Sequence, residues 1–159
     1  MERILTIGVY GWDGARWMDA LRRAGCDQVV DIRARRGVRG SEYAFANRTR
    51  LEAALAQAEI AYMHLPELAP SQEIRDAQVA ADRAGGVLKR DRTALASSFL
   101  DRYREGVADV VPWSGIAGRL TGSRPALLCV ERLPAACHRS LVAARLAVEC
   151  EVGVEDLLP

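Results

Sequence analysis

RILTIGVYGWDGARWMDALRRAGCDQVVDIR, Arg3 to Arg33, is the stretch from which the fold follows. Its two ends, RILTIGV (Arg3 to Val9) and QVVDIR (Gln28 to Arg33), are short apolar runs with the β-branched content of strands. Between them Trp17, Ala20, Leu21 and Ala24 recur at helical spacing over Asp13 to Ala24, and Gly25 is the stop signal. Strand, helix and strand in that order form a βαβ unit, which lays its two strands parallel in one sheet.

The alternation continues outward. A helix over Thr49 to Ala58 leads into a third strand, Ile60 to His64. The pattern then changes: PELAPS turns the chain, Ser71 to Ala84 reads as a capped helix that Gly85 and Gly86 break, and Leu95 to Val107 and Ser114 to Leu120 read as further helices. Pro125 to Val130 is a fourth strand, Cys137 to Cys150 a helix, and Val152 to Leu158 supplies a last strand. The expected fold is α/β: a single three-layer domain over residues 1–159 with a mostly parallel, Rossmann-like sheet. A helical insertion at about 66–121 is expected over the strand ends.

Hydrophobic residues make up 50% of the 159 positions and charged residues 27%, enough core for one globular domain without disulfide staples. The formal net charge of +1 excludes a polycation that coats nucleic acid through overall charge, so any anion binding must be local. All basic residues but Lys89 are arginine, a bias that GC-rich coding explains without a demand for bidentate contacts. The apolar run within Met1 to Tyr10 is too short for a signal peptide or a membrane span, so a cytoplasmic protein with no membrane partner is expected. Cys26, Cys129, Cys137 and Cys150 lack the spacing of a disulfide scaffold and read as thiols of a reducing compartment.

Chemistry concentrates in RPALLCVERLPAACHRSL, Arg124 to Leu141, where a strand, a short loop and a helix start bring Cys137, His138 and Arg139 together. A helix N-terminus with a neighbouring imidazole and guanidinium suits an anion or an activated sulfur. Cys137 is therefore a candidate nucleophile; its competing role is a small buried residue of the first turn. His138 is placed to move a proton near neutral pH or to pack as a cap. Arg139 is expected to bridge Glu131, Asp31 or an anion. Cys129 reads as core, and Glu131 marks the strand end beside Asp31.

A second run, DIRARRGVRGSEYAFANRTR from Asp31, starts at the carboxyl end of a strand, where parallel sheets bind ligands. Arg33 and Arg39 in it are candidate phosphate holders, against the alternative of a solvated loop. Asp31 fits a general base and a buried ion pair equally well. The turn from Gly8 to Gly14 lacks GxGxxG spacing and the chain lacks a GxxxxGK[ST] loop. Tyr10 and Trp12 in that turn are placed either to stack on a base or to pack against the insertion. Cys129, Cys137, His138 and His64 carry metal-ligating atoms, but Cys129 to Cys137 is much wider than the C-x2-4-C step of zinc pairs, so no metal is expected and no cofactor follows.

TIG (Thr6 to Gly8), VDIR (Val30 to Arg33) followed by Arg39, AYMHLPELAP (Ala61 to Pro70), GVLKRDR (Gly86 to Arg92) and LLCVERLPAACHR (Leu127 to Arg139) resemble, in the same order, the domain of unknown function 488 family. The resemblance implies a three-layer α/β fold and marks Asp31, Arg33, Arg39, Cys129, Glu131, Cys137, His138 and Arg139 as motif positions; it implies nothing about substrate. The family's usual TIGHS is TIGVY here, with Val9 in place of histidine, and the proline and serine that often precede the second arginine are Arg36 and Val38. Rhodanese sulfurtransferases share a D-x-R strand end and a cysteine loop. Their arginine six residues after the cysteine is missing, since those positions hold Ala135 and Ala143.

The sequence thus points to an enzyme or enzyme-like protein that binds an anionic ligand at its strand ends, a phosphate-bearing small molecule or nucleic acid. Arg33, Arg39 and Arg139 would hold phosphate with Tyr10 beside them, Asp31 or Glu131 would act as base, and His138 would shuttle a proton. Two alternatives compete with this: a non-catalytic nucleic-acid-binding module, and a redox or sulfur-transfer enzyme using Cys137. All three need the tips of the second and penultimate strands side by side.

Overall fold

In a computed structural model, residues 1–88 and 91–159 are described. The GVLKRDR motif thus lies partly outside the described residues. Five strands form one all-parallel sheet: β1 (Arg3–Ile7), β2 (Gln28–Asp31), β3 (Ala61–His64), β4 (Pro125–Leu128) and β5 (Gly153–Leu157), in the order β3-β2-β4-β1-β5. β2 and β4 are buried along their whole length while β3 and β5, at the edges, are partly open. This is why β4 reads as a near-continuous apolar run rather than as an alternating strand.

Successive side chains point to opposite faces and build two cores. Ile4, Val30 and Leu127 face α6 (Arg139–Cys150) and the helices between β3 and β4. Those helices are α3 (Gln72–Ala84), α4 (Ser97–Tyr103) and α5 (Trp113–Arg119). Leu5, Val29 and Leu128 face Trp17 and Leu21 of α1 (Gly14–Arg23) and Leu51 and Leu55 of α2 (Arg48–Gln57). The result is the three-layer α/β fold. The helical segment between β3 and β4 supplies much of one layer: Ile74, Phe99, Tyr103 and Trp113 complete the core under α6.

Element boundaries differ from the sequence pattern in one systematic way. The apolar runs of the first, second and fourth strands continue two residues past the end of the ladder, which stops at Ile7, Asp31 and Leu128. Arg33, Cys129 and Val130 line the cavity beneath the strand tips, while Ile32 is buried in the core and its amide, like that of Cys129, still donates to the neighbouring strand. The helix expected over Leu95 to Val107 is α4 followed by a wider turn at Arg104–Ala108. The helix expected from Cys137 starts at Arg139, with Cys137 extended (φ −140°, ψ 141°) and His138 as its N-cap residue.

The loop after β4 crosses tightly over the end of β1. The amides of Val9 and Tyr10 both donate to the Val130 carbonyl, and a Cβ added at Gly8 would stand 2.1 Å from the Glu131 carbonyl oxygen. Only glycine lets the two backbones approach this closely. Gly8→Ala is expected to cost about 1–3 kcal/mol of stability, read from the urea midpoint; an unchanged midpoint would mean that the loop does not lie over Gly8.

Candidate functional site

A cavity of about 550 Å³ opens at the carboxyl ends of β2 and β4, within the range of small-molecule sites. Because these strands are hydrogen-bonded neighbours with Asp31 opposite Leu128, the segments that leave their tips form one floor. Arg33 and Arg39 come from the β2 side, Cys129, Glu131, Cys137 and His138 from the β4 side, and Tyr10 from the turn after β1. Gln72, Arg75 and Gln78 of α3 with Leu95 and Phe99 close the far wall.

Not every expected site residue reaches the cavity in a usable form. Asp31 is wholly buried: Arg33 donates to both its oxygens, from Nε at 2.8 Å and Nη2 at 2.7 Å, and the Tyr62 hydroxyl donates at 2.8 Å. A carboxylate so occupied cannot take a substrate proton, which corrects its assignment as a base; it is the ion pair that fixes the loop. Arg33 borders the cavity, but its guanidinium is turned to Asp31 and to the Ala46 carbonyl. Its expected role as a phosphate holder is corrected accordingly.

Arg139 is likewise structural. Its guanidinium is fully buried and donates to Thr6 Oγ1 and to the carbonyls of Glu131 and Arg132. It therefore binds the Glu131 backbone, not its carboxylate, and does not meet the cavity. The Glu131 carboxylate lies 3.9 Å from Arg92, which also pairs with Asp82. Tyr10 packs on Tyr43 at 5.0 Å between ring centroids, within the arginine-rich run rather than against the insertion. Val9 is buried in the core and offers no polar group.

The positive charge that stays available comes from residues the motifs did not single out as well as from one they did. Among the described lining residues are Arg33, Arg35, Arg39, Arg75 and Arg92, with Glu131 as the acid. Arg33 is neutralised by Asp31, and Arg92 faces Asp82 and Glu131. Arg75 donates to the Pro70 carbonyl and Gln72. Arg35 and Arg39 are exposed at the mouth, and among the described residues neither makes a hydrogen bond or ion pair. Elsewhere in the run, Arg36 and Arg48 share Glu52.

At the floor, His138 Nδ1 lies 3.7 Å from Cys129 Sγ and 4.0 Å from Cys137 Sγ, while Nε2 lies 3.2 Å from the Ile32 carbonyl. A carbonyl only accepts, so Nε2 carries the proton and Nδ1 faces the sulfurs. Burial alone would raise the Cys137 thiol. The hydrogen bond from the Cys129 thiol, the neighbouring imidazole and the charge of Arg139 outweigh it and push the thiol well below the ordinary range. The hydrogen bond to Cys137, then burial, drives Cys129 the opposite way. The two buried sulfurs are thus pushed in opposite directions. The cause is the second sulfur, imidazole and guanidinium rather than a helix first turn, because Cys137 stands ahead of the helix. Cys129, expected as mere core, is part of this group. His64 is not: it bonds the Arg33 carbonyl at 2.9 Å.

Fold and site together define a parallel three-layer α/β protein with an arginine-bearing cavity at its strand tips and a thiol–imidazole cluster at the cavity floor. Residues 14–146 match the family model described as Domain of unknown function DUF488, and the chain belongs to that family. Neither the curated proteins nor the solved structures returned a match. Among the described residues no helix is long and apolar enough to cross a membrane.

Two measurements check this arrangement. Arg33→Met strands a buried carboxylate and is expected to cost about 3–5 kcal/mol, whereas the double variant Asp31→Leu/Arg33→Met regains a large part of that loss. A double variant no better than the single one would contradict the buried pair. Burial and the charge of Asp31 push the Tyr62 hydroxyl up from 10.0 to about 12. Its folded-state value lies above the unfolded one, so its contribution is complete below about pH 10 and is lost as pH climbs toward 12. The stability difference between wild type and Tyr62→Phe should shrink over that window; a difference that stays flat would show Tyr62 to be free of Asp31.

Proposed function

We propose that the cavity binds a small anionic, phosphate-bearing molecule and presents it to the thiol–imidazole floor, as in an enzyme. The observation that carries this reading is the pair Arg35 and Arg39, exposed at the mouth of a concave site whose acid, Glu131, already faces Arg92. Arginines without carboxylate partners at the strand tips of a parallel sheet are suited to bidentate capture of phosphate. Tyr10, tilted against Tyr43, offers an aromatic edge beside them. Of the two carboxylates considered as a base, Glu131 is the one on the cavity wall. A concave pocket favours a small molecule over the backbone of a nucleic acid, which needs an extended basic face.

Thermal shift with inorganic pyrophosphate and a panel of nucleoside polyphosphates tests the reading. At about one hundred times Kd a ligand adds about 2.7 kcal/mol to the native state, a rise in Tm on the order of 5–10 °C for a chain of this size. Arg39→Ala and Arg35→Ala are each expected to weaken binding about 10–100-fold, the worth of a hydrogen bond to a charged group. No shift with any of these compounds, together with oligonucleotide binding that falls steeply with salt, would assign the face to nucleic acid instead.

A further inference from the structure

We propose that Cys129, Cys137 and His138 form a three-ligand centre for a zinc-class divalent cation, with its fourth coordination position open to the cavity. The two sulfurs and the imidazole nitrogen all lie within 4.8 Å of one another. A tetrahedral zinc with Zn–S of about 2.3 Å and Zn–N of about 2.0–2.1 Å holds its donor atoms about 3.6–3.8 Å apart. The observed separations from Nδ1 are 3.7 Å and 4.0 Å, so these two contract by a few tenths of an ångström, while the two sulfurs, within 4.8 Å of each other, close by up to about 1 Å. The wide sequence step between the cysteines is no obstacle, because the turn at Pro134–Ala136 folds the loop back and sets Cys137 beside the end of β4.

The surroundings are those of a ligand set rather than of three packed side chains. His138 donates its Nε2 proton to the Ile32 carbonyl, which fixes the ring and leaves Nδ1 to offer its lone pair. A second hydrogen bond of this kind accompanies metal-bound histidines almost invariably. Two sulfurs and one imidazole are donors that zinc accepts readily, and two cysteines with one histidine form a known open-site combination. All three residues border the cavity, so a water or an oxygen of a bound anion has access to the fourth position. The centre rests on donor geometry alone and does not require that the cavity bind phosphate.

Cobalt(II) titrated into the tag-free, chelator-stripped full chain, kept reduced by a phosphine, tests this directly. The expected result is a thiolate-to-cobalt charge-transfer band with the intense visible bands of a tetrahedral site, saturating at one equivalent and displaced by zinc. Cys129→Ser and Cys137→Ser should each weaken binding at least about tenfold, whereas Cys26→Ser and Cys150→Ser should not. Arg39→Ala should leave the bands intact, so a failed phosphate reading and a failed metal centre are told apart. No charge-transfer band in the reduced wild-type protein would overturn the proposal whether or not the variants fold, and so would a band that survives both serine substitutions.

Discussion

One hydrogen bond, from His138 Nε2 to the carbonyl of Ile32, joins the two halves of the site. The last bond of β2 to β4 is from the Ile32 amide to Leu128, so the Ile32 carbonyl has lost its place in the ladder and lies in the buried interior. A buried carbonyl needs a donor from somewhere. Taking it from His138 draws the loop after β4 onto the tip of β2 and turns Nδ1 toward both sulfurs. The bond contributes only about 0.5–1.5 kcal/mol net, but losing it would leave buried polar groups unpaired at about 1–3 kcal/mol each.

Around that clamp the arginines divide by task. Arg33 and Arg139 are consumed inside the protein, one by a buried carboxylate and the other by Thr6 and two loop carbonyls. They hold the β2 and β4 loops in shape, and the charge of Arg139 favours the Cys137 thiolate. Arg35 and Arg39, exposed at the mouth, are the ones available to a ligand. Residues of one chemical type and adjacent positions thus serve opposite ends because burial, not identity, sets what a guanidinium can reach.

The βαβ frame was legible because β-branched runs and the stripe of Trp17 and Leu21 carry their periods openly in the sequence. The meeting of the second and fourth strands was legible too, since a ligand crevice at strand tips follows from a parallel sheet. Strand ends were not: Ile32 is apolar because it packs in the core just past the ladder, and Val130 because it lines the cavity, and both mimic strand pairing. Nor did the pattern show that Asp31 and Arg33 satisfy each other, because a D-x-R spacing looks the same whether the arginine turns back or reaches out. Cys129 read as core for a similar reason, as burial of a thiol does not reveal that a second sulfur and an imidazole lie against it. Arg75 comes from a segment whose helices show their apolar faces but not the wall they form.

The proton position on His138 tests the central claim most directly. Long-range proton–nitrogen correlation spectra of the 15N-histidine-labelled protein distinguish the two ring nitrogens. The expected result is a proton on Nε2, present with or without added metal, as the bond to Ile32 requires. A neutral ring protonated on Nδ1, with Nε2 bare, would show that His138 does not clamp the tip of β2.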